Sequence, residues 1–320
     1  MPCKAYLNGS MRANGRAMVR MVNKIIEEYN EMGYQLTLRQ VYYQMVARDI
    51  IPNNDKSYNN LGELISKGRM LGLIDWYAIE DRTRYLRALS HWISPSDRIE
   101  SAIHSYHIDL WEDQPNYVEV WVEKDALIGV VEQVADSFDV PCFSCRGYTS
   151  QTAMWDAGQR MIHKSRAGQR PVKIIHLGDH DPSGIDMTRD IIERINLFLR
   201  DGLDKDAPST IPFDVNRIAL NMAQIKEYKP PKNPAKVTDS RYKKYIDQFG
   251  KDCWELDALK PNDLAVLIGN TIRGYMDIKR MDKRKVLMEE QKAMLKDAAE
   301  FVEHPDRWTK SGNAPYYFGT

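Results

Sequence analysis

The sequence predicts an α/β chain in which a small helical domain precedes a parallel sheet. Three observations carry that reading. Apolar residues recur at helical spacing through residues 15–70; from residue 117, short runs rich in valine and isoleucine alternate with helical patterns; and those runs end in acidic residues and glycine turns. The expected organisation is a helical domain over 1–110, a sheet domain over 111–215, and a basic arm with a helical extension over 216–320.

The chain has 320 residues, 43% of them hydrophobic and 28% charged, enough to bury a core and too apolar for a disordered chain. Lys plus Arg and Asp plus Glu number 45 each, so nucleic-acid binding would have to come from local patches rather than the net field. No run of about 18 apolar residues is present, and no apolar stretch follows the first basic residues, which argues against a membrane span and a secretory signal. The expectation is a cytoplasmic protein with no membrane partner. Four cysteines fit reduced thiols. Cys142 and Cys145 form a CxxC, but they lie on a predicted strand, where residues three apart face opposite ways, so buried structural thiols are expected.

Met18, Val22, Ile25, Ile26 and Tyr29 form the apolar face of a first helix over 15–32. Arg12, Arg16, Arg20 and Lys24 fall four apart on its other side, either as a solvated face or as a phosphate-contacting stripe. Thr37-Leu-Arg-Gln40 fits a capping box opening a helix over 38–48. There Leu38, Val41, Tyr42 and Met45 take the core face, while Arg39 and Tyr43 share a neighbouring, more open one. Of the two tyrosines, Tyr43 is therefore the better candidate for chemistry. A third helix over 58–70, with Lys67 and Arg69 near its end, is a plausible recognition helix. Residues 73–84 read as a strand and wing carrying Arg82 and Arg84, which completes a winged-helix architecture.

Tyr117-Val-Glu-Val-Trp-Val alternates and then closes in Glu123-Lys124-Asp125. A helix over 126–138, a strand over 141–146 and a helix capped by Ser150 follow. A third strand, Val172-Lys-Ile-Ile-His-Leu, runs into Gly178-Asp-His-Asp-Pro-Ser-Gly184 and a helix to about residue 199. Sites in such a sheet lie beyond the carboxyl ends of the strands, and Glu123, Asp179 and Asp181 all land there. Carboxylates gathered without matching His or Cys ligands suit a hard cation, Mg²⁺ or Mn²⁺. His180, between the two aspartates, is expected to act structurally rather than on phosphate.

These residues resemble a known family. Glu123-Lys124-Asp125-Ala126 with Asp179-His-Asp181-Pro-Ser-Gly184 looks like the Toprim signature, in the variant found in the A subunit of DNA topoisomerase VI and its meiotic double-strand-break relative. That family carries its nucleophilic tyrosine in a preceding winged helix, in a motif that Arg39-Gln-Val-Tyr42-Tyr43 matches, with Tyr43 aligned to the nucleophile. The chain is similar to the short, stand-alone A-subunit-like proteins of bacteria, phages and mobile elements. The resemblance implies Mg²⁺-dependent attack of Tyr43 on double-stranded DNA to leave a 5′-phosphotyrosine, with Asp179 and Asp181 holding metal and Glu123 binding metal or shuttling a proton. It implies a homodimer at the nucleoid in which the tyrosine of one protomer meets the metal site of the other. This chain has no ATP-binding segment, so a topoisomerase cycle would require a separate ATPase subunit. The family's Gly-x-Pro-Asp segment is replaced by Gly147-Tyr-Thr-Ser150.

Residues 226–245 are rich in lysine with interleaved tyrosines and prolines, which reads as an extended basic arm; Lys229, Lys232 and Lys236, with Lys124, join the candidate DNA contacts. A helical region is expected from Cys253 to about residue 302, with Glu255 and Asp257 in capping or structural roles. Two other functions fit the same residues: a hydrolytic nuclease using metal-activated water, with Tyr43 structural, and a DNA-binding protein whose acidic site is idle.

Overall fold

The structure, a computed structural model, describes residues 3–80, 89–165, 170–201 and 211–304. It opens with α1 (Ala13–Glu31), whose buried Val19, Val22, Ile25, Ile26 and Tyr29 recur every three or four residues while Arg12, Arg16, Arg20 and Lys24 are exposed. A two-residue strand β1 (Leu36–Thr37) leads into α2 (Leu38–Ala47). The expected capping box is present: Thr37 Oγ1 accepts from the Gln40 amide, and Gln40 Oε1 accepts from the Thr37 amide at 2.8 Å. The third helix, α3 (Asp55–Met70), begins earlier than expected because Asn54 caps it through the Ser57 amide. Val22, Tyr29, Val41, Met45, Leu61, Ile65 and Ile74 form the core of this part.

The strand expected over 73–84 is much reduced. Only β2 (Ile79–Glu80) is strand among the described residues, pairing parallel to β1. A turn precedes it, closed by Asp75 Oδ1 accepting from the Tyr77 amide, with Gly72 at φ 68° reversing the chain after α3. Arg82 and Arg84 lie outside the described residues.

The chain divides into two compact units, Met1–Thr83 with Pro115–Tyr275, and Arg84–Gln114 with Met276–Thr320. The sequence-based division at 110 and 215 groups the chain differently. In the second unit, α4 (Pro95–Ser105) opens with Ser94 accepting from the Asp97 amide.

Back in the first unit, the described residues build a four-stranded parallel sheet. β3 (Tyr117–Val122) is buried along its whole length and runs through a single 3₁₀ turn into α5 (Ile128–Ser137). β4 (Cys142–Ser144) is shorter than expected, and Ser150 caps α6 (Gln151–Lys164). β5 (Val172–Leu177) feeds α7 (Pro182–Asp201), and β6 (Phe213–Ala219) completes the spatial order β4-β3-β5-β6. Parallel strands joined through helices need cover on both faces. Trp121 and Ile174 pack with Met154 and Met161 of α6 and Ile191 and Ile195 of α7. Val122 pairs with Leu177 and Ser144, so the carboxyl ends of β4, β3 and β5 are level, and whatever follows them is presented together.

After the sheet the sequence expectation fails in an informative way. Residues 226–245 are not an extended arm. They form the end of α8 (Met222–Tyr228), then β7 (Lys232–Pro234), then the start of α9 (Tyr242–Phe249). The segment after residue 250 begins as strand β8 (Asp252–Trp254), antiparallel to β7, before α10 (Pro261–Tyr275). The strand pair is held because Tyr245 of the intervening α9 is buried, packing with Ala235 and Cys253, and because His180 and Trp254 exchange backbone bonds of 2.8 and 3.0 Å. In the second unit α11 (Ile278–Glu303) packs with α4, and Asp277 caps it while exchanging bonds with Gln114.

All four cysteines are free thiols; burial pushes Cys142 up to about 11 and Cys145 up to about 12, which suits inert groups. No helix among the described residues is long and apolar enough to cross a membrane.

Candidate active site

Glu123 follows β3 and Asp179 follows β5, and the level strand ends bring them into contact: Glu123 Oε2 accepts from the Asp179 amide at 2.8 Å. Asp181 caps α7, its Oδ1 accepting from Ser183 Oγ at 2.8 Å and from the Gly184 amide at 2.6 Å. Gly184 is required here, since a Cβ at that position would lie 2.2 Å from the Asp179 carbonyl oxygen. The three acidic residues proposed from sequence therefore do converge.

Lys124, expected to contact DNA, instead sits among carboxylates. Its ammonium lies 3.0 Å from Asp179 Oδ2, 2.7 Å from Glu255 Oε2 and 3.0 Å from Asp257 Oδ1. A largely buried lysine is stable only when paired, and these partners occupy its three donors. Burial works against its charge, and Asp179, Asp257 and Glu255 more than offset that, holding it far above the usual lysine value.

Tyr43 approaches the same cluster from α2. Its hydroxyl donates to Glu255 Oε2, and Arg39 Nη2 donates to the phenol oxygen at 3.4 Å. Arg39 also lies 3.6 Å from Asp257 Oδ2. The more open face expected for Tyr43 is not what is found: Tyr43 is 7% exposed and Tyr42 4%. The two differ in what they touch. Tyr42 bonds to Asn53 and the Asn54 carbonyl, which ties α2 to the loop before α3, whereas Tyr43 faces the carboxylates. Burial, then Asp257 and Glu255, push the Tyr43 phenol well above the usual tyrosine value, so it is protonated at neutral pH.

The cluster opens into a cleft of about 600 Å³ lined by Arg39, Asn53, Glu123, Lys124, Asp179, Asp181, Asn233, Lys236 and Glu255. Of the other predicted DNA contacts, Arg12, Arg16, Arg20 and Lys67 are exposed on α1 and α3 or beside them, and Lys229 and Lys232 are exposed before and at the start of β7. Lys232 pairs with Asp252 at 2.9 Å. Arg69 is a correction: its guanidinium donates to the Trp76 and Ile79 carbonyls at 3.1 and 2.6 Å, holding the turn after α3, and is not available as a phosphate contact.

For a divalent cation the chemistry fits and the arrangement is incomplete. Burial, with Asp179 and Asp181 nearby, pushes Glu123 up to about 8, more than the neighbouring Lys124 charge brings it down. Hydrogen bonds take Glu123 Oε2 and Asp181 Oδ1, leaving Glu123 Oε1 and Asp181 Oδ2 for a hard ion. Asp179 uses Oδ1 on the Leu256 amide at 2.8 Å and Oδ2 on Lys124. Among the described residues no three His, Cys, Asp or Glu side chains already stand at metal-binding geometry.

Sequence reasoning missed two parts of this site. Glu255 and Asp257 are expected to be structural, yet Glu255 bridges Tyr43 and Lys124, and Asp257 bridges Arg39 and Lys124. Arg217 was not singled out, yet its guanidinium donates to the carbonyls of Gly178, Asp179 and Gly184 and to Thr188 Oγ1, at 2.5–3.0 Å, and so braces the acidic loop. In β6 Phe213, Val215 and Ala219 alternate with the polar Asp214 and Asn216, and an arginine at the apolar positions of that alternation was the available signal. His180 does act structurally, packed against Tyr245, Phe249 and Trp254 and bonded to the Tyr245 hydroxyl at 2.8 Å. What these elements define is a mixed α/β protein with an acidic cleft at the carboxyl ends of a parallel sheet. Compared with protein-family models, with curated proteins and with solved structures, the chain gives no match.

Proposed function

We propose that the chain is a divalent-metal-dependent DNA-cleaving transesterase of the topoisomerase VI A-subunit kind, in which α1–α3 act as a winged helix and the parallel sheet as a Toprim domain. The observation that carries this reading is that Tyr43 joins, through Glu255 and Lys124, the cluster in which Asp179 stands beside Glu123 and Asp181 at the cleft, so that the two parts of the chain carrying the motif match meet. A tyrosine is a poor nucleophile at neutral pH and needs a polarised phosphate beside it. Glu123, Asp179 and Asp181 would hold Mg²⁺ or Mn²⁺, which when bound polarises the phosphate and neutralises charge in the transition state. Arg39 and Lys236, exposed at the cleft, would hold the DNA backbone, and the exposed stripe on α1 would extend that contact.

On this reading Tyr43 joins the DNA 5′ end and releases a 3′-hydroxyl. The reading departs from the family expectation in one respect: Tyr43 lies against the carboxylates of its own chain, so one chain supplies both halves of a site, and cutting both strands of a duplex would take two chains. Any strand passage would rely on a separate ATPase subunit. The burial of Tyr43 favours one second reading, a hydrolytic nuclease with Tyr43 structural.

The test is incubation with end-labelled and supercoiled DNA plus Mg²⁺ or Mn²⁺, stopped with SDS and run with and without protease. Protein-linked 5′ ends, absent in Tyr43→Phe and Asp179→Ala, are the expected result. Protein-free ends that persist in Tyr43→Phe would make the chain a hydrolase.

A further inference from the structure

We infer that Glu255 is a catalytic residue of this site, the acceptor that takes the phenolic proton of Tyr43 as its oxygen attacks phosphorus. The inference rests on the assignment of Tyr43 as nucleophile and names the group that activates it. Its basis is geometric. Glu255 Oε2 accepts the Tyr43 hydroxyl proton, and the rest of the carboxylate is fixed by Lys124 at 2.7 Å on the same oxygen and by Asn233 Nδ2 at 3.2 Å on Oε1. A base must lie within hydrogen-bond reach of the proton it abstracts, and it acts best when a further group orients it. Both conditions are met by a residue outside the strand-end acidic set.

The charges facing Glu255 are the cations Lys124 and Arg39 and the carboxylates Asp257 and Asp179. Burial pushes its carboxyl up, and Lys124, Tyr43 and Arg39 together bring it below the usual value, so it stands ionised and ready to accept. The Tyr43 phenol, by contrast, is hard to ionise in advance. A proton moving only as the new bond forms meets both facts, because the phenol oxygen becomes acidic as it bonds to phosphorus. In the step, the Tyr43 Oη–P bond forms and the P–O3′ bond breaks. The phenolic proton passes to Glu255 Oε2, and the departing 3′-oxygen takes a proton from water. Resealing reverses each transfer.

A merely structural bond between α2 and the segment after β8 predicts otherwise. So does a purely electrostatic role, since removing the negative charge of Glu255 would make the phenol easier to ionise and Tyr43 more reactive. The experiment reads the nucleophilicity of Tyr43 directly, without DNA or metal. The full chain and its Glu255→Gln and Glu255→Asp variants are treated at neutral pH with a dialkyl phosphorofluoridate, whose P–F bond the phenol displaces. Tyr43 labelling is timed by mass spectrometry, with circular dichroism confirming the fold of each. The expected result is a fall of about a hundredfold in labelling rate for Glu255→Gln, a size typical of general-base catalysis, with partial recovery in Glu255→Asp. Equal or faster labelling in Glu255→Gln overturns the inference, and so does failure of Tyr43 to label in the unaltered chain. Labelling that depends on Glu255 in a protein that never links to DNA would keep the inference and reject the proposed DNA reaction, so the two can fail separately.

Discussion

Tyr43 and Lys124, from a helix of the first part of the chain and from the first strand end of the sheet, bind the same oxygen, Oε2 of Glu255. That shared atom makes the nucleophile candidate and the acidic cluster one electrostatic system. The Lys124 ammonium pairs with Asp179, Glu255 and Asp257 at once and stands where a divalent cation on Asp179 would have to compete with it.

Replacing that lysine by an uncharged side chain therefore exposes the demand for a cation. Lys124→Met removes the cation that Asp179, Glu255 and Asp257 share, and the expected cost is about 3–5 kcal/mol of stability. Mg²⁺ should restore part of it by binding the folded state. The measurement is thermal unfolding with and without Mg²⁺, and the expected outcome is a larger Mg²⁺-induced rise for Lys124→Met than for the unaltered chain. Equal shifts would show that these carboxylates do not form a cation site.

The acidic loop is held by close backbone packing, which two glycines separate from simple turn preference. A Cβ at Gly184 would meet the Asp179 carbonyl oxygen at 2.2 Å and Glu123 Oε2 at 3.0 Å. Gly147 has φ 83° but nothing within 4 Å of the added carbon. Gly147→Ala should cost about 1–2 kcal/mol, the strain of a left-handed backbone. Gly184→Ala should cost more and displace Asp179, read as a lower urea midpoint and as changed amide shifts at residues 178–184. Similar losses in the two variants would mean that the loop yields easily.

Arg217 should resist even conservative replacement. Its planar fork reaches three carbonyls and a hydroxyl on both sides of the Asp179–Asp181 turn, a geometry a single ammonium cannot reproduce. Arg217→Lys and Arg217→Met are both expected to lose about 2–4 kcal/mol, the cost of leaving buried acceptors unpaired. A lysine variant as stable as the unaltered chain would show that charge alone, not the fork, holds the loop.

How far the sequence carried can be seen residue by residue. Helical periodicity and the Thr37 capping box placed α1 and α2, and the strand-terminal positions of Glu123, Asp179 and Asp181 were read correctly, because period and turn chemistry are local signals. What depended on distant pairing was not legible. Lysine and proline content suggested an open arm over 226–245, but burial of Tyr245 and pairing of His180 with Trp254 hold it as the end of a helix, a strand and the start of another helix. The same pairing carries Glu255 to Tyr43, and nothing near residue 255 in the chain announces that meeting. Lys124 read as a DNA contact because its neutralising partners, Glu255 and Asp257, lie far along the chain.

One buried group sets a pH dependence whose sign is fixed by its surroundings. His176 is fully buried on β5, its Nδ1 is 3.0 Å from Thr188 Oγ1, and burial, with the Arg217 charge added, pushes it down to about 3. In the unfolded chain the same imidazole titrates near its usual value of about 6.5. Between those values the unfolded state binds a proton that the folded state refuses, so the contribution of His176 is fully present above about pH 6.5 and is lost as pH falls toward 3. Glu123, pushed up, works in the opposite direction, so the unaltered chain alone does not isolate the effect. The comparison with His176→Asn does, because every other group titrates in both proteins. Going from pH 7.5 to pH 5, the stability difference between the two should move in favour of the variant by about 2 kcal/mol, following 1.36 kcal/mol per pH unit below 6.5. Urea unfolding at the two pH values measures it. A difference that does not change with pH would mean that His176 is protonated in the folded state, and that the core beneath the acidic loop admits a charge.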